Sequence, residues 1–232
     1  MKKEVRDLEK IITSFPDEFL KLSPEEQRVS VQLYRLLAEG QPVPPERIAQ
    51  TLDLSSDVVS HILSRWPGVF YDDDGRIVGY WGLALPAMAH RFMVNGQTLY
   101  TWCAWDSLFI PQLLGKTARV ESTCPVTGDK IRLTVAPDGV KELDPASAVM
   151  SFVRPEAGQI RENVILNFCH FVHFFSSAEA GSQWILEHKG NFILSIDEAY
   201  YLAQKKNEVQ YKDVLETPAD EGLPVTETDL AA

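Results

Sequence analysis

The sequence predicts an α+β fold: a helical module followed by a mainly antiparallel β-sheet domain with flanking helices. Apolar residues recur at spacings of three and four through roughly the first 66 positions, as on helix faces. After Pro86, short apolar segments alternate with turn residues, as in strands. Asn95-Gly96 lies between two such segments, which is a strong β-hairpin signal.

Four amphipathic segments make up the helical module. The first ends at Pro16, and it carries Val5, Leu8, Ile11, Ile12 and Phe15 on one face. The others span residues 29–37, 46–52 and 55–66, the last beginning at the capping residue Ser55. A hairpin over residues 71–85 with Asp74-Gly75 as its turn completes a winged-helix-like arrangement.

A winged-helix-like module either binds DNA or serves as a structural domain. Its candidate recognition helix, residues 55–66, offers Arg65 as its one cation and also carries Asp57. The formal net charge of the chain is −11, whereas phosphate contacts need clustered cations. We therefore expect no nucleic acid partner.

Four segments follow from these patterns: an N-terminal helical extension (1–27), the winged-helix-like module (28–85), an α+β catalytic domain (86–215) and a flexible acidic tail (216–232). Turn residues separate the predicted strands of the third segment, which favours antiparallel pairing. Strands are predicted at 118–122, 131–135, 148–153 and 168–175, and helices at 105–114, 178–188 (behind a Ser176/Glu179 capping box) and 197–204.

Composition is that of a globular protein, with 45% apolar and 24% charged residues in 232. The charged N-terminus does not resemble a secretory signal, and no apolar stretch is long enough for a membrane span. The three cysteines, Cys103, Cys124 and Cys169, form no disulfide framework. We expect a cytoplasmic protein with reduced thiols and no membrane partner.

Cys103 and Asp106 are the first candidate for chemistry. They are three residues apart where a strand gives way to a helix, so they are expected to share a helical face. A carboxylate of raised pKa beside a thiol can accept its proton and deliver it elsewhere. A small buried cysteine beside a helix-capping aspartate fits the same residues.

Cys169 lies in an alternating run that predicts a buried strand, with His173 on its own side and His170 on the other. Zinc binding by Cys169 and His173 is disfavoured, because four extended residues span roughly 13 Å. The two histidines are expected to be core residues or to support a nearby site. Cys124, in the turn before Pro125, is expected to be structural.

Three blocks resemble the organomercurial (alkylmercury) lyases: Leu99-Tyr-Thr-Trp-Cys-Ala-Trp-Asp106, Gly115-Lys-Thr-Ala-Arg-Val120 and Phe168-Cys-His-Phe-Val-His-Phe-Phe175. The similarity covers roughly residues 28–205. Phe168 replaces a cysteine found in some members, and Trp105 is bulkier than the aliphatic residue often seen there. The family's winged-helix-like module is not a DNA-binding one.

The resemblance implies protonolytic cleavage of a carbon–mercury bond, with Cys103, Asp106 and Cys169 as catalytic residues and as ligands of mercury. Asp106 would take a thiol proton and pass it to carbon, leaving Hg²⁺ on the two cysteines. No resident cofactor is implied. Small cellular thiols or a mercuric reductase would then remove the Hg²⁺.

Other functions fit parts of the pattern. A soft-metal protein that binds mercury or copper through Cys103 and Cys169 would need no lyase activity. A metal-sensing regulator is opposed by the acidic charge, and a thiol hydrolase by the lack of a recognisable histidine partner for Cys103. Trp102, Trp105, Phe168 and Phe171 fit either an apolar substrate pocket or core packing.

Overall fold

The computed structural model describes residues 8–13, 21–154 and 157–215. The predicted acidic tail, and Val5 and Phe15 of the first predicted helix, lie outside these residues. The helices of the N-terminal region are α1 (Leu8–Thr13), α2 (Pro24–Leu37), α3 (Pro45–Leu52) and α4 (Ser56–Arg65). Ser55 caps α4 as predicted, accepting a hydrogen bond from the Val58 backbone N–H.

One antiparallel sheet of eight strands follows, confirming the predicted α+β class. Its strands are β1 (Val69–Tyr71), β2 (Ile77–Tyr80), β3 (Leu83–Ala84), β4 (His90–Val94), β5 (Gln97–Thr101), β6 (Ala118–Thr123), β7 (Lys130–Ala136) and β8 (Gly139–Asp144), in the spatial order β1-β2-β3-β5-β4-β6-β7-β8. The hairpin at Asn95-Gly96 is confirmed, since β4 pairs with β5. Because β3 also pairs with β5, the wing strands belong to the same sheet as the strands after residue 86.

A smaller sheet of three strands forms later in the described chain. Its central strand is β9 (Val149–Val153), which lies between β10 (Phe174–Phe175) and β11 (Asn191–Ser195). The remaining helices of the described chain are α5 (Asp106–Leu114), which lies between β5 and β6 in the sequence, α6 (Ala157–Asn167), α7 (Ala178–Glu187) and α8 (Ile196–Gln210). None of the helices among the described residues has the length and hydropathy of a membrane span.

Two predictions in this region are wrong. The strand over residues 168–175 is absent: Cys169–Phe171 is a 3-10 turn, and the strand β10 is limited to Phe174–Phe175. Within this turn Cys169 is buried, Phe171 is half-buried and His170 is exposed, so the alternation in the sequence does not mark the two faces of a strand. Helix α7 is capped by Ser177, one residue after the predicted Ser176.

Helix α8 is fixed against α5 by hydrogen bonds between side chains and backbone. The buried indole N–H of Trp105 donates to the Ala199 carbonyl at 3.0 Å. Asn207, fully buried, donates to the Phe109 carbonyl at 3.0 Å and to the Gln112 side chain at 2.8 Å. Such buried polar contacts fix how two helices pack, because any shift leaves a donor without its acceptor.

Candidate active site

Cys103 and Asp106 meet at the junction of β5 and α5. Cys103 is fully buried in the turn before the helix, and Asp106 is the first helical residue. The Cys103 backbone N–H donates to Asp106 Oδ2 at 2.8 Å. The two groups therefore converge as predicted, although Cys103 precedes the helix and does not share one of its faces.

Cys169 comes from the 3-10 turn that follows α6, and backbone hydrogen bonds fix that turn beside Cys103. The Ala104 N–H, next to Cys103, donates to the Val172 carbonyl at 3.1 Å. On β9, the Ser151 hydroxyl donates to the Phe171 carbonyl at 2.8 Å and accepts from the His173 N–H at 3.0 Å.

These contacts bring three soft or acidic groups together. One ligand atom from each of Cys103, Asp106 and Cys169 lies within 4.8 Å of the other two, and all three residues are buried. Among the described residues, no other cluster of three histidine, cysteine or acidic side chains has this geometry. Thiolates suit soft metals, so the cluster can hold a soft metal ion.

Burial sets the protonation of the cluster. It raises the pKa of Asp106 to about 6, although hydrogen bonds from Cys103 and the charge of Lys206 oppose the rise. Burial also raises the pKa of the Cys103 thiol well above its usual range, as do Cys169 and Asp106. For Cys169, a hydrogen bond with Cys103 lowers the pKa, but burial and Asp106 together outweigh it, so the pKa is raised. Asp106 is thus the most acidic member and can exchange a proton near neutral pH.

The wing supplies the surface against which Asp106 packs. Gly82 has φ +99°, and a Cβ built there would lie 2.5 Å from Asp106 Cγ. Its carbonyl accepts the Trp102 N–H at 2.9 Å, while the Tyr34 hydroxyl donates to the Trp81 carbonyl at 2.7 Å. The carboxylate can occupy this position only because residue 82 has no side chain.

A narrow pocket, half of whose lining residues are aromatic, opens on the cluster. Its cavity volume is about 20 Å³, which is room for about one water molecule. It is lined by Tyr34, Trp81, Gly82, Trp102, Asp106, Phe109, Val164, Phe168, Cys169, Lys206, Gln210 and Tyr211. Among the four predicted aromatic residues, Trp102 and Phe168 line it. Trp105 packs instead against Phe109, Phe152 and Phe168, and Phe171 packs against His188.

The remaining predicted residues lie outside the cluster. Cys124 is buried in its turn and is absent from the three-residue group. Burial raises the pKa of the Cys124 thiol, but hydrogen bonds from Thr127 and nearby backbone N–H groups give a net lowering. The ring Nε2–H of His173 donates to the His170 carbonyl at 2.8 Å and so stabilises the turn that carries Cys169. His170 itself is exposed, so it is not a core residue.

Sequence reasoning missed eight residues that reach the pocket through tertiary contacts: Tyr34, Trp81, Gly82, Phe109, Val164, Lys206, Gln210 and Tyr211. For Lys206, the sequence of helix α8 does contain a pattern that indicates an unusual position. The buried face of α8 includes Ala199, Leu202 and Ala203, and the next position on that face is a lysine. A lysine on the apolar face of a helix is uncommon unless it is paired or functional.

Comparison with known proteins gives one consistent result. A family model described as alkylmercury lyase matches residues 83–207, and a model described as the helix-turn-helix domain of alkylmercury lyase matches residues 24–81. The alkylmercury lyase of Streptomyces lividans is 44% identical over 176 residues, covering 76% of this chain and 80% of that protein. The alkylmercury lyase of Staphylococcus epidermidis is 42% identical over 173 residues, covering 74% and 78%.

A solved structure has a similar fold. The crystal structure of the mercury-bound form of MerB2 aligns with a TM-score of 0.70 at 22% identity, covering 88% of this chain and 98% of that chain. At this identity the likeness concerns the arrangement of helices and strands.

Proposed function

This chain belongs to the alkylmercury lyase family, and we propose that it breaks the carbon–mercury bond of organomercurials with Cys103, Cys169 and Asp106. Membership of this family gives the activity, cleavage of the carbon–mercury bond. What we propose is the role of each of the three residues. The observation that carries those roles is the convergence of two thiols and one carboxylate within 4.8 Å in a buried cluster.

The two thiols suit the metal of the substrate. Mercury is a soft ion that prefers sulfur to oxygen or nitrogen ligands, and two thiolates from separate segments can hold one ion between them. Each added thiolate also increases electron density on mercury and so weakens its bond to carbon. Because both cysteines are buried, the sulfur–mercury bonds form away from water.

The carboxyl group suits the other half of the reaction. A carbanion leaves readily only if a proton reaches carbon as the bond to mercury breaks. Asp106, with its pKa raised to about 6 by burial, can accept a proton as a carboxylate and donate it as an acid near neutral pH. Its hydrogen bond to the Cys103 backbone keeps it beside the metal-binding sulfur.

The cycle balances in protons and charge. For a substrate R–Hg–X, where X is a small thiolate, Asp106 accepts the proton of one thiol, and that sulfur bonds to mercury. The second sulfur also bonds to mercury, and its proton leaves with X⁻ as HX. Asp106 then protonates carbon, R–H leaves, and Hg²⁺ stays on the two thiolates with Asp106 again ionised.

We further propose that no resident cofactor is needed and that the enzyme acts in the cytoplasm. Small thiols or a mercuric reductase would remove Hg²⁺ by exchange of sulfur ligands. We also propose that nucleic acid is not a partner. Arg65, the cation of helix α4, lies 3.4 Å from Glu26, so an acidic side chain already pairs with the charge that a phosphate or base contact would need.

The test is turnover. Purified protein with excess small thiol should release many equivalents of benzene from phenylmercury, measured by headspace gas chromatography. Stoichiometric mercury binding with no benzene would instead favour a soft-metal binding protein that uses the same cysteines.

A further inference from the structure

Lys206 is a buried cation in the wall of the pocket, and the cycle above does not use it. It is 3% exposed and lines the pocket together with Asp106 and Cys169. Its Nζ lies 3.7 Å from the centroid of the Phe109 ring and 5.1 Å from that of Tyr211. The hydrogen bonds of the next residue, Asn207, to α5 fix this part of α8 in place.

The ammonium group of Lys206 has fewer acceptors than it can use. It can donate three hydrogen bonds, and among the described residues it donates one, a long one of 3.3 Å, to Asn207 Oδ1. No ion pair of 4 Å or less joins it to Asp106 in the described part of the chain. Burial lowers the pKa of Lys206 to about 7, against the opposing charge of Asp106. Packing alone does not account for such a group, because a buried charge is costly unless it is paired.

We propose that Lys206 is a specificity-determining residue that recognises an anionic substituent on the organic group, so that carboxylated arylmercurials are preferred substrates. This inference rests on the proposed function of the cluster. A carboxylate supplies the acceptors that the ammonium lacks, and hydrogen bonds between charged partners are the stronger kind. The substrate thereby completes the pairing of the lysine.

Aromatic side chains share the pocket wall with Lys206, so an aryl group on mercury would meet aromatic surfaces there. Phe109, Phe168 and Tyr211 line the pocket and offer ring faces and edges for aromatic packing. A carboxylate para to mercury lies on the far side of the aryl ring, so it is separated from Asp106, which must lie beside the carbon–mercury bond. Because the pocket has room for about one water molecule, this proposal requires wall side chains to move when an aryl group binds.

The experiment compares three substrates of graded size and charge: phenylmercury, 4-methylphenylmercury and 4-carboxyphenylmercury. Arene release gives kcat/KM for each, and the ratio of the carboxyl to the methyl substrate isolates charge from size. In Lys206→Met this ratio should fall about tenfold or more, as expected for loss of a hydrogen bond between charged partners. Lys206→Arg should keep most of the preference, because it keeps the charge.

Lys205 provides a matched control. It is the adjacent residue, and its Nζ pairs with Glu208 at 2.7 Å on the exposed side of α8. Lys205→Met should leave the ratio at the wild-type value. Lys206→Gln is a second uncharged variant, polar and of similar size, and should lose the preference like Lys206→Met.

An unchanged ratio in a folded Lys206→Met or Lys206→Gln variant would overturn this inference while leaving the lyase cycle intact. An equal loss of preference in Lys205→Met would overturn it as well, since the effect would then be one of overall charge. Wild-type protein that released no benzene from phenylmercury would instead contradict the proposed function, and the specificity with it.

Discussion

Asp106 accepts the backbone N–H of Cys103 at 2.8 Å, so a direct hydrogen bond joins the acid of the proposed cycle to the backbone of the residue that carries the metal-binding thiol. The bond spans three residues at the start of α5, and it aims the carboxylate back toward the turn that carries the thiol. Asp106 is 5% exposed, and this burial is also what raises its pKa. One local geometry thus provides both the position and the acidity of the proton donor.

The pH dependence of kcat/KM should report Asp106. The free enzyme needs the carboxylate form to accept a thiol proton, and burial raises its pKa from 3.8 to about 6. As pH falls below about 6 the carboxylate is lost, so kcat/KM should decline about tenfold per pH unit. Hydrocarbon release measured from pH 4.5 to 8 checks this. A profile that stays flat down to pH 4.5 would mean that the acid is unperturbed or that another group accepts the proton.

Replacing either of the two proposed mercury ligands, Cys103 or Cys169, should remove tight mercury binding. Cys103→Ser and Cys169→Ser each leave one sulfur and one hard hydroxyl, so the affinity for Hg²⁺ should fall by more than about a hundredfold and hydrocarbon release should stop. Competition with a small dithiol measures the affinity. Cys124→Ser is the matched control, because Cys124 is buried but lies outside the cluster; it should lower stability and keep activity per folded molecule. If Cys124→Ser lost mercury binding while Cys103→Ser and Cys169→Ser kept it, the assignment of Cys103 and Cys169 as the mercury ligands would be contradicted.

Gly82→Ala should disable the acid without removing the thiols. Its Cβ would lie 2.5 Å from Asp106 Cγ, so the carboxylate must move, and hydrocarbon release should fall while Hg²⁺ still binds. Gly96→Ala is a matched control: Gly96 also has positive φ, +76°, but a Cβ there meets no atom within 4 Å. Both variants carry a backbone cost of about 1–2 kcal/mol. Equal activity in the two would show that the contact of Gly82 with Asp106 does not matter.

Ser151 should position Cys169. Ser151→Ala removes the acceptor of the His173 N–H and the donor to the Phe171 carbonyl, which together hold the turn that carries Cys169. Stability should fall by about 1–3 kcal/mol, and hydrocarbon release per folded molecule should fall as well. Ser147→Ala also loses one hydroxyl donor, to the Ser176 carbonyl at 2.8 Å, away from Cys169. If Ser147→Ala lost as much activity per folded molecule as Ser151→Ala, the loss would reflect a general destabilisation of the fold and not the position of Cys169.

Local patterns in the sequence predicted much of the fold. The helices in residues 24–65, the hairpin at Asn95-Gly96 and the strands β6, β7 and β9 follow from apolar spacing and turn residues. The strands β8 and β11 and helix α6 were not predicted. In β11 the apolar run is only three residues long, Phe192 to Leu194, which is too short to assign by periodicity. The strand predicted over residues 168–175 is wrong, because a buried turn and a buried strand can carry the same alternation.

The candidate site was only partly visible in the sequence. Cys103 and Asp106 are neighbours at three residues' separation, so chemistry between them could be inferred locally. Cys169 was predicted as a site residue only from the resemblance of its sequence block to the family, because nothing local indicates that residue 169 lies beside residue 103. Gly82 and Lys206 contribute through contacts between distant segments, and such contacts are set by the packing of whole elements.

The central claim is that Asp106 delivers a proton to carbon while two cysteines hold mercury. The direct measurement is single-turnover cleavage of methylmercury in D₂O by wild type and by Asp106→Asn, with headspace mass spectrometry of the methane and titration of bound Hg²⁺. Wild type should release methane carrying one deuterium and retain one Hg²⁺. Asp106→Asn should bind Hg²⁺ equally but release methane at least about 100-fold more slowly, because its amide has no acidic proton to give. Methane release at the wild-type rate by the Asp106→Asn variant would contradict the account.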